Sequence, residues 1–467
     1  MGDFIDLTKT MDMSTLVPRV WDTKYPIYLL EFGGPIGAGK SETAEEVYRM
    51  LGLLGGTGKY DIRILREDIQ SDANKKAIDD FYKGNGSPVE LERQICGSSL
   101  AMLLKTIESH PDTCSLIIVS DRAIEDDLVF IRDLIKRTYL PENEKSELKA
   151  IMDNISEFVR ELDELDSAIM HTTIYLEPTP EEALSRIRKR GRPNEQQIDK
   201  ATLWRLTGES DKLICKDVVS IDNSDLTVFE TGTLSSLVLW NRLGLIDNVL
   251  VSVYGVPGVG KSKLAETLQS WSPMYEPRSM NNLVTAVLDR SDEEDIEAEQ
   301  KLVYEGQKEI AMSPDTIQDW IDSRRLGDFE SSRSFYPSAL LTITDVGPWT
   351  SEVFCKATGC SEEHSGYREW FRNQYHKYLN VIVQPVGGYR NVREHIKERG
   401  RPGEYEYFTE ERLQEIGVLI SAHMDEIEFD TVGTAKFVVN GYTKATLSSM
   451  FRDVMRALHA LIRYTTR

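Results

Sequence analysis

The feature that most constrains the fold is a short glycine-rich pattern that occurs twice. GPIGAGKS spans Gly34–Ser41 and GVPGVGKS spans Gly255–Ser262, and both fit G-x-x-x-x-G-K-S. In this pattern backbone N–H groups surround a phosphate, the lysine reaches the β- and γ-phosphates, and the serine ligates Mg²⁺. Each copy follows an apolar, strand-like run and opens a helical stretch, the setting in which helix N-termini bind anions. We therefore predict two phosphate sites, and we name the two segments loop 1 and loop 2.

Three further features recur in the same order, which indicates an internal duplication. RIRKRGRPNE and HIKERGRPGE begin at Arg186 and His395, and we call them the first and second basic segments. TLSS occurs at Thr233 and again at Thr446. SDRAIEDDLVF and TDVGPWTSEVF form the last pair. Their nearly constant offset predicts two domains, residues 1–246 and residues 247–467.

Both halves alternate short apolar runs with periodic helical stretches. The predicted strands are Ile27–Phe32, Ile62–Leu65, Ser115–Val119, Thr173–Leu176, Val218–Ile221, Val249–Tyr254, Ala339–Thr344, Asn380–Gln384 and Phe437–Asn440. This alternation predicts an α/β fold in which each half is a parallel five-stranded sheet flanked by helices. Because no Gly/Ser-rich linker separates the halves, we expect them to pack as an intramolecular pseudo-dimer, with a higher oligomer left open.

Charge and cysteine content exclude several classes of function. The net charge of −22 disfavours binding to nucleic acid or to an anionic membrane, both of which need a basic surface. Five cysteines, without disulfide or zinc spacing, indicate a reducing compartment. The apolar runs have strand length rather than membrane length. We expect a cytoplasmic protein, with a nuclear location as the alternative.

The residues after the third predicted strand narrow the class of phosphate-binding protein. A Ras-type GTPase would need Asn-Lys-x-Asp, and the nearest string, at Asn74–Ala77, lacks the aspartate. The third strand ends in IIVSDRAIEDD, where Asp121 is followed directly by Arg122. A single Asp-Arg pair at this point is typical of small nucleoside and nucleotide kinases.

These motifs, in this order, make most of residues 25–245 resemble the deoxynucleoside kinase family, which includes the herpesvirus-type thymidine kinases. The resemblance implies that Glu67 is the base on the 5′-hydroxyl, although Asp68 stands where the family has proline. It implies that Gln94 reads the base edge and that Arg122 is catalytic. Asp121 would hold the metal together with Ser41.

The first basic segment matches the arginine-rich lid that this family closes over the triphosphate. The resemblance implies catalytic roles for Arg186 and Arg188, triphosphate binding by Arg190 and Arg192, and a substrate-side role for Glu195. Phosphoryl transfer needs positioned positive charge more than covalent help. The implied cofactors are ATP and Mg²⁺. The cofactor-binding residues predicted around the two loops are Gly34, Gly37, Gly39, Lys40, Ser41, Thr43, Gly255, Gly258, Gly260, Lys261 and Ser262.

The second half keeps some of these residues and loses others. Val346 stands where the first half has Arg122, and valine cannot donate a hydrogen bond to a phosphate. In the second basic segment, His395 and Lys397 replace two arginines, and lysine lacks the planar fork of arginine. The residues that carry the resemblance here are Glu276 as base, Gln300 as base-edge reader, Asp345 with Ser262 as metal ligands, and Arg399 and Arg401 as triphosphate ligands.

The function implied is ATP-dependent phosphorylation of a deoxynucleoside to its 5′-monophosphate, mainly by the first half, in nucleotide salvage and DNA precursor synthesis. In the family that the chain resembles, an aspartate at the position of Asp127 favours deoxycytidine or a purine, whereas the small residues Gly97 and Ala101 at the positions of its usual helix partners leave thymidine open. One alternative is a fusion to a thymidylate kinase, against which Val346 counts. Another is a second half that acts as a non-catalytic regulatory partner.

Overall fold

The computed structural model describes most of the chain, which forms two compact units. One unit runs to Arg242 and the other begins at Leu243. The residues described are 24–55, 58–67, 72–136, 140–165, 168–192, 195, 198–210, 214–244, 249–270, 284–287, 314–335, 341–360, 365–375, 377–385, 388–401, 403–427 and 433–439. The boundary predicted at residue 246 lies outside them and stays a prediction.

The N-terminal unit contains the parallel sheet that the sequence predicts. Its strands are β1 Ile27–Gly33, β2 Tyr60–Leu65, β3 Ser115–Ser120, β4 Ile169–Leu176 and β5 Val218–Ile221, in the order β2-β3-β1-β4-β5. The helices are α1 Lys40–Gly55, α2 Asp72–Tyr82, α3 Pro88–Glu108, α4 Asp126–Lys136, α5 Glu142–Glu164, α6 Pro180–Arg190, α7 Lys200–Ser210 and α8 Val228–Arg242. The five strand predictions for this half are confirmed, with ends that shift by a few residues.

The core forms because helices cover both faces of this sheet. All seven residues of β1 are buried, as expected for a central parallel strand. On α5, Leu148, Ile151, Ile155 and Leu162 recur at helical spacing and are buried in the main apolar cluster of the unit. This packing fixes the carboxyl ends of β1 and β3 side by side.

The strand order places the functional motifs at one edge of the sheet. β1 pairs with β3 on one side and with β4 on the other, so the strand order reverses direction at β1. In parallel sheets ligands bind at the carboxyl ends of the strands at such a point. Loop 1 follows β1, the Asp121–Asp127 segment follows β3, and the first basic segment follows β4 through α6.

The C-terminal unit also contains a parallel sheet, with corresponding strands in corresponding places. Its strands are β6 Val249–Tyr254, β7 Val284–Val287, β8 Leu341–Thr344, β9 Lys377–Pro385 and β10 Gly433–Val439, in the order β10-β9-β6-β8-β7. The helices are α9 Lys261–Ser270, α10 Pro314–Phe335, α11 Thr350–Thr358, α12 Ser365–Gln374, α13 Tyr389–Arg399, α14 Glu404–Tyr407 and α15 Glu410–Ile427. The sequence did not predict β7, and the second TLSS lies outside the described residues.

A cluster of aromatic side chains dominates the packing on one side of β6. It consists of Phe329, Tyr367, Trp370, Phe371 and Tyr375, packed with Leu250 and Val346, and we call it the aromatic cluster. Phe371 makes edge-to-face contacts with three of these rings, at centroid separations of 4.7 to 5.1 Å. Within the described residues, no helix is long and apolar enough to cross a membrane.

Candidate active site

Loop 1 has the backbone conformation that its glycines predict. Gly34 and Gly37 have φ angles of 136° and 85°, a region that favours glycine. A Cβ at Gly34 would lie 2.5 Å from the Leu176 carbonyl oxygen, and one at Gly37 would lie 2.5 Å from that of Ala183. The loop therefore depends on glycine for its shape and for its close packing against β4 and α6. Thr43, in the first turn of α1, donates its hydroxyl to the Gly39 carbonyl at 2.9 Å.

Lys40 is held in place by an aspartate that the sequence analysis missed. Its Nζ donates to the Gly34 carbonyl and lies 3.1 Å from Asp126 Oδ2. The other oxygen of Asp126 accepts the Gly34 N–H at 3.0 Å. Burial raises the pKa of Asp126, although Lys40 and the Gly34 N–H oppose that effect. The first turn of α4 thus stabilises loop 1 through Asp126.

Ser41 and Asp121 lie together, as predicted for a metal site. The Ser41 hydroxyl hydrogen-bonds the Asp121 carboxylate. Burial raises the pKa of Asp121, while the bond from Ser41 and the charge of Lys40 lower it. A hydroxyl and a carboxylate beside a phosphate loop are the hard oxygen ligands that Mg²⁺ takes together with substrate phosphates. The donor set therefore fits Mg²⁺.

A second pair of contacts fixes Glu67 beside that site. The Glu67 N–H donates to Asp121 Oδ1 at 2.7 Å. The Arg122 guanidinium donates from one nitrogen to the Glu67 carboxylate and from another to Asp127. Asp127 is only 2% exposed, so it anchors the arginine from the interior. Glu67 and Arg122, predicted as base and catalytic cation, thus form one ion-paired unit.

Glu92 is the residue of α3 that the sequence analysis overlooked. It is buried, and its Oε2 accepts a hydrogen bond from the Cys96 thiol at 3.8 Å. Oxygens of Glu92 and Asp127 and the sulfur of Cys96 all lie within 4.8 Å of one another. Burial, and then the charge of Asp127, raise the pKa of Glu92 well above its usual value.

The first basic segment divides into two groups of arginines. Arg186 donates to the carbonyls of Ala38 in loop 1, at 3.1 Å, and Asn223, at 2.8 Å. Arg188 donates to the Ile198 carbonyl at 3.0 Å. The others pair with one carboxylate: Arg190 Nη2 and Arg192 Nη1 lie 2.6 and 3.3 Å from Glu195 oxygens. The first group is bound to the scaffold, and the second lies at the cavity.

These residues surround a cavity of about 560 Å³. The predicted site residues that line it are Gly37, Gly39, Lys40, Ser41, Glu67, Asp121, Arg122, Arg190, Arg192 and Glu195. Asp126 and Glu92 line it as well. The predicted residues of this unit that are described but are not part of the lining are Gly34, Thr43, Gln94, Asp127, Arg186 and Arg188. Gln94 follows Glu92 by two residues, and residues with this separation on a helix point about 200° apart. Gln94 therefore points away from the side on which Glu92 faces the cavity.

A buried polar network lies behind loop 1, on β1 and β4. His171 Nε2 lies 3.0 Å from Glu31, and its Nδ1 lies 3.4 Å from Asp163 and 3.7 Å from the Cys215 sulfur. Burial would lower the pKa of His171, but Cys215 and the two carboxylates raise it well above its usual value. Glu125 accepts the N–H groups of Ile214 and Cys215, and burial raises the pKa of Glu125 to about 7.

The corresponding place in the C-terminal unit retains only part of this arrangement. The Ser262 hydroxyl donates to Asp345, as Ser41 does to Asp121. Lys261 Nζ donates to the Val256 carbonyl at 3.3 Å. Gly258 and Gly260 have φ angles of 78° and 91°. The loop and its paired oxygen ligands therefore resemble those of loop 1.

The second basic segment repeats one contact of the first. Arg399 pairs with Glu404, with Nε 3.1 Å from the carboxylate, as Arg190 pairs with Glu195. Arg401 follows directly after Gly400. The neighbouring cavity is about 230 Å³, and it is lined by Gly255, Val256, Ile382, Val383, Gln384, Pro385, Gly388, Tyr389, Gly417, Ile420 and Ser421. Glu276 and Gln300, predicted as base and base-edge reader, lie outside the described residues.

A phosphate-type loop, paired oxygen ligands and a cationic segment at the carboxyl edge of a parallel sheet are the parts of a phosphotransferase. Residues 31–233 match the family model of the deoxynucleoside kinases. The matched region covers the sheet, loop 1 and the first basic segment. The match supports this family for the N-terminal unit, and the protein is a kinase. Kinases of this family take the phosphoryl group from a nucleoside triphosphate.

Comparison with solved structures gives weaker likenesses. The chain is 19% identical to a deoxyadenosine kinase from M. mycoides with bound dCTP, over 47% of this chain and 100% of that one, with a TM-score of 0.31. The same enzyme with bound dATP gives 17% identity, 46% and 98% coverage and a TM-score of 0.31. NadR protein in complex with NR gives 14% identity, 93% and 95% coverage and a TM-score of 0.28. No curated protein sequence matches the chain.

Proposed function

We propose that the N-terminal unit transfers the γ-phosphoryl group of ATP to the 5′-hydroxyl of a deoxynucleoside. The observation that carries this proposal is the Glu67–Arg122 ion pair, which lines the same cavity as Lys40, Ser41 and Asp121. A carboxylate held beside a phosphate loop is placed to take a proton from a hydroxyl that attacks the γ-phosphate.

Each residue has a distinct task in this proposal. Glu67 accepts the 5′-hydroxyl proton, and Arg122 holds Glu67 in position and adds positive charge near the attacking oxygen. Lys40 leaves Asp126 for the β- and γ-phosphates. Ser41 and Asp121 hold Mg²⁺, which supplies charge neutralisation at the phosphates when it is bound.

The basic segment supports the same reaction in two ways. Arg190 and Arg192 face the cavity and exchange Glu195 for the triphosphate, which puts planar donors on the transferring group. Arg186 and Arg188 do not line the cavity, and both donate to carbonyls of the scaffold, so we assign them a supporting role. We infer that Arg186 maintains the shape of loop 1 and that Arg188 maintains the position of the segment.

For the C-terminal unit we propose a second phosphate loop with reduced or no turnover. Ser262, Asp345 and Lys261 support nucleotide binding. Val346 provides no donor where Arg122 stands in the other unit, which also counts against a thymidylate kinase in this half. The proposed role is that of a built-in partner for the catalytic unit.

Replacement of Glu67 by glutamine tests the proposed reaction. Glu67→Gln keeps the shape of the side chain and removes the base, so turnover with ATP and deoxynucleosides should fall by roughly 10²–10⁴-fold. The KM for the deoxynucleoside should change little, because binding does not require proton transfer. Glu157→Gln, at an exposed position on α5, is the matched control. Turnover close to that of the parent in Glu67→Gln would contradict the assignment.

A further inference from the structure

One wall of the cavity is apolar, as a site for a nucleobase ring requires. Apolar side chains from four helices line it: Ile78, Phe81, Leu91, Ile95, Phe130, Leu134 and Leu206. α3 contributes Leu91, Glu92 and Ile95 to this lining, so Glu92 is the polar residue of that helix at the cavity. Glu92 is only 5% exposed, which makes its carboxyl a fixed, desolvated group rather than a surface acid.

The surroundings of Glu92 determine its protonation state. Asp127 is ion-paired with Arg122 and is therefore the carboxylate that carries the charge. Glu92 lies within 4.8 Å of Asp127 and pairs with no cation in the described contacts. Burial first, and then the negative charge of Asp127, raise the pKa of Glu92 well above its usual value, so Glu92 keeps its proton. Glu92 thus offers one O–H donor and one carbonyl acceptor, the same pair that a glutamine amide offers.

We propose that Glu92 is the specificity-determining residue that reads the Watson–Crick edge of the base, and that it favours cytosine and adenine, in which an amino group lies beside an unprotonated ring nitrogen. This inference rests on the proposed deoxynucleoside kinase function. Asp127 is a positioning residue, since it keeps Glu92 neutral and anchors Arg122 without lining the cavity.

The preference follows from the donor and acceptor patterns of the bases. Cytosine and adenine present an amino group beside an unprotonated ring nitrogen, so the Glu92 carbonyl accepts from the amino group while its O–H donates to the ring nitrogen. Uracil, thymine, guanine and hypoxanthine present a carbonyl oxygen beside a ring N–H. That oxygen carries partial negative charge, and the negative charge of Asp127, which lies behind Glu92 within 4.8 Å, disfavours it at this position.

Matched deoxynucleosides test the inference without any mutation. Deoxycytidine differs from deoxyuridine, and deoxyadenosine from deoxyinosine, by an amino group in place of a carbonyl oxygen. With the full chain, ATP and Mg²⁺, kcat/KM should be at least about tenfold higher for the amino member of the pair whose ring fits the cavity, about 1.4 kcal/mol of discrimination. A preference for the oxo members, or none, would overturn the inference.

Variants assign the preference to Glu92. Glu92→Gln presents the same donor and acceptor, so it should keep the preference within a few fold. Glu92→Leu has similar size and no polar atoms, so it should lose the preference through a fall in kcat/KM for the amino members. Gln94→Leu, on the other side of α3, tests the alternative reader and should keep the parental preference. If Gln94→Leu rather than Glu92→Leu abolishes the preference, Glu92 is not the reader.

The assay separates a failure of the kinase function from a failure of the Glu92 assignment. If the parent phosphorylates none of these four deoxynucleosides, nor thymidine or deoxyguanosine, the proposed function fails, and the assignment of Glu92 falls with it. If the parent is active without discrimination within either pair, the kinase function stands and the role of Glu92 is wrong. Thermal melting of Glu92→Leu checks its folding. If it does not fold, the parental preference and the Gln94→Leu result still decide the question.

Discussion

The same place in the two sheets combines a similar backbone arrangement with different side-chain chemistry. After β3 the chain continues as Asp121-Arg122, and after β8 it continues as Asp345-Val346. In both units the aspartate accepts a hydrogen bond from the serine of the glycine loop. The arginine, however, bridges two carboxylates, whereas the valine is 5% exposed within the aromatic cluster.

In the C-terminal unit, aromatic packing occupies the space around Val346. The Val346 carbonyl accepts the Tyr367 hydroxyl at 3.0 Å, so an aromatic side chain occupies space beside β8. Ser351, five positions after Val346, donates its hydroxyl to Asp322, whereas Asp127, five positions after Arg122, accepts from that arginine. The glycine loop and its oxygen ligands thus form in both units at the carboxyl edge of the sheet. The cation needs a buried carboxylate to hold it.

The largest expected difference concerns the two loop lysines. Lys40→Ala should lower deoxynucleoside phosphorylation by 10³-fold or more, since it removes the cation at the transferring phosphate, a group of the kind worth about 10³–10⁵ in rate. Lys261→Ala should leave most of the activity. The measurement is steady-state kinase assay of both variants of the full chain. Equal losses in the two variants would show that both units turn over.

Exchange of Arg122 and Val346, which follow Asp121 and Asp345, should have the next largest effect on activity. Arg122→Val should lower kcat by roughly 10²–10³-fold, the usual loss for one preorganised donor. It should also lower the melting temperature, because Asp127 loses its buried partner. Val346→Arg should destabilise the protein without any gain in activity, since the aromatic cluster supplies no carboxylate. Activity above that of the parent in Val346→Arg would show that an arginine at this position works without a buried carboxylate partner.

The basic segments should differ by a smaller factor. Arg190→Lys replaces a planar fork by a point charge at the cavity, so the KM for ATP should rise about tenfold, or about 1.4 kcal/mol. Arg399→Lys, at the matching contact with Glu404, should change ATP kinetics by less than about twofold. Titration of ATP at saturating deoxynucleoside measures both. A larger effect at Arg399 than at Arg190 would assign the working lid to the C-terminal unit.

The smallest effect concerns the pH dependence of stability. Burial raises the pKa of Glu125 from its usual value to about 7, so the folded state holds a proton that the unfolded state releases above about pH 4.5. The contribution of Glu125 to stability should therefore fall as the pH rises from about 4.5 to 7. Glu125→Gln keeps an acceptor for the Cys215 N–H and should flatten this part of the profile of melting temperature against pH. Glu157→Gln should leave the profile unchanged, and an equally steep profile in Glu125→Gln would contradict the assignment.

Local sequence was sufficient for most of the sheet, because parallel strands buried on both faces are continuous apolar runs. The run at Ile27–Phe32 and that at Ser115–Val119 each extend by one residue in the structure. Val284–Val287 was missed because a four-residue run between charged segments carries too little pattern to distinguish a strand from a loop.

The site was harder to predict where burial reverses the usual preference of a residue. Asp126 and Glu92 are acids in helices, and acids in helices are usually solvated. The periodicity of α3 does carry a signal, since Leu91, Ile95 and Glu92 share its buried face while Gln94 does not. The motif directed attention to the glutamine instead. Contacts such as Lys40 with Asp126 depend on the tertiary fold and leave no local pattern.

The hydrogen bonds that hold loop 1 in shape can form only late in the synthesis of the chain. The Gly34 N–H bonds to Asp126, 92 positions later, and the Ala38 carbonyl accepts from Arg186 and from the Asn223 side chain, 148 and 185 positions later. Contacts so distant along the chain form late, because the intervening polypeptide must be ordered first. A nascent chain that has not yet extended past Asn223 therefore carries the glycine motif without its supports. We therefore expect a bound nucleotide to stabilise only a unit whose chain is complete past Asn223.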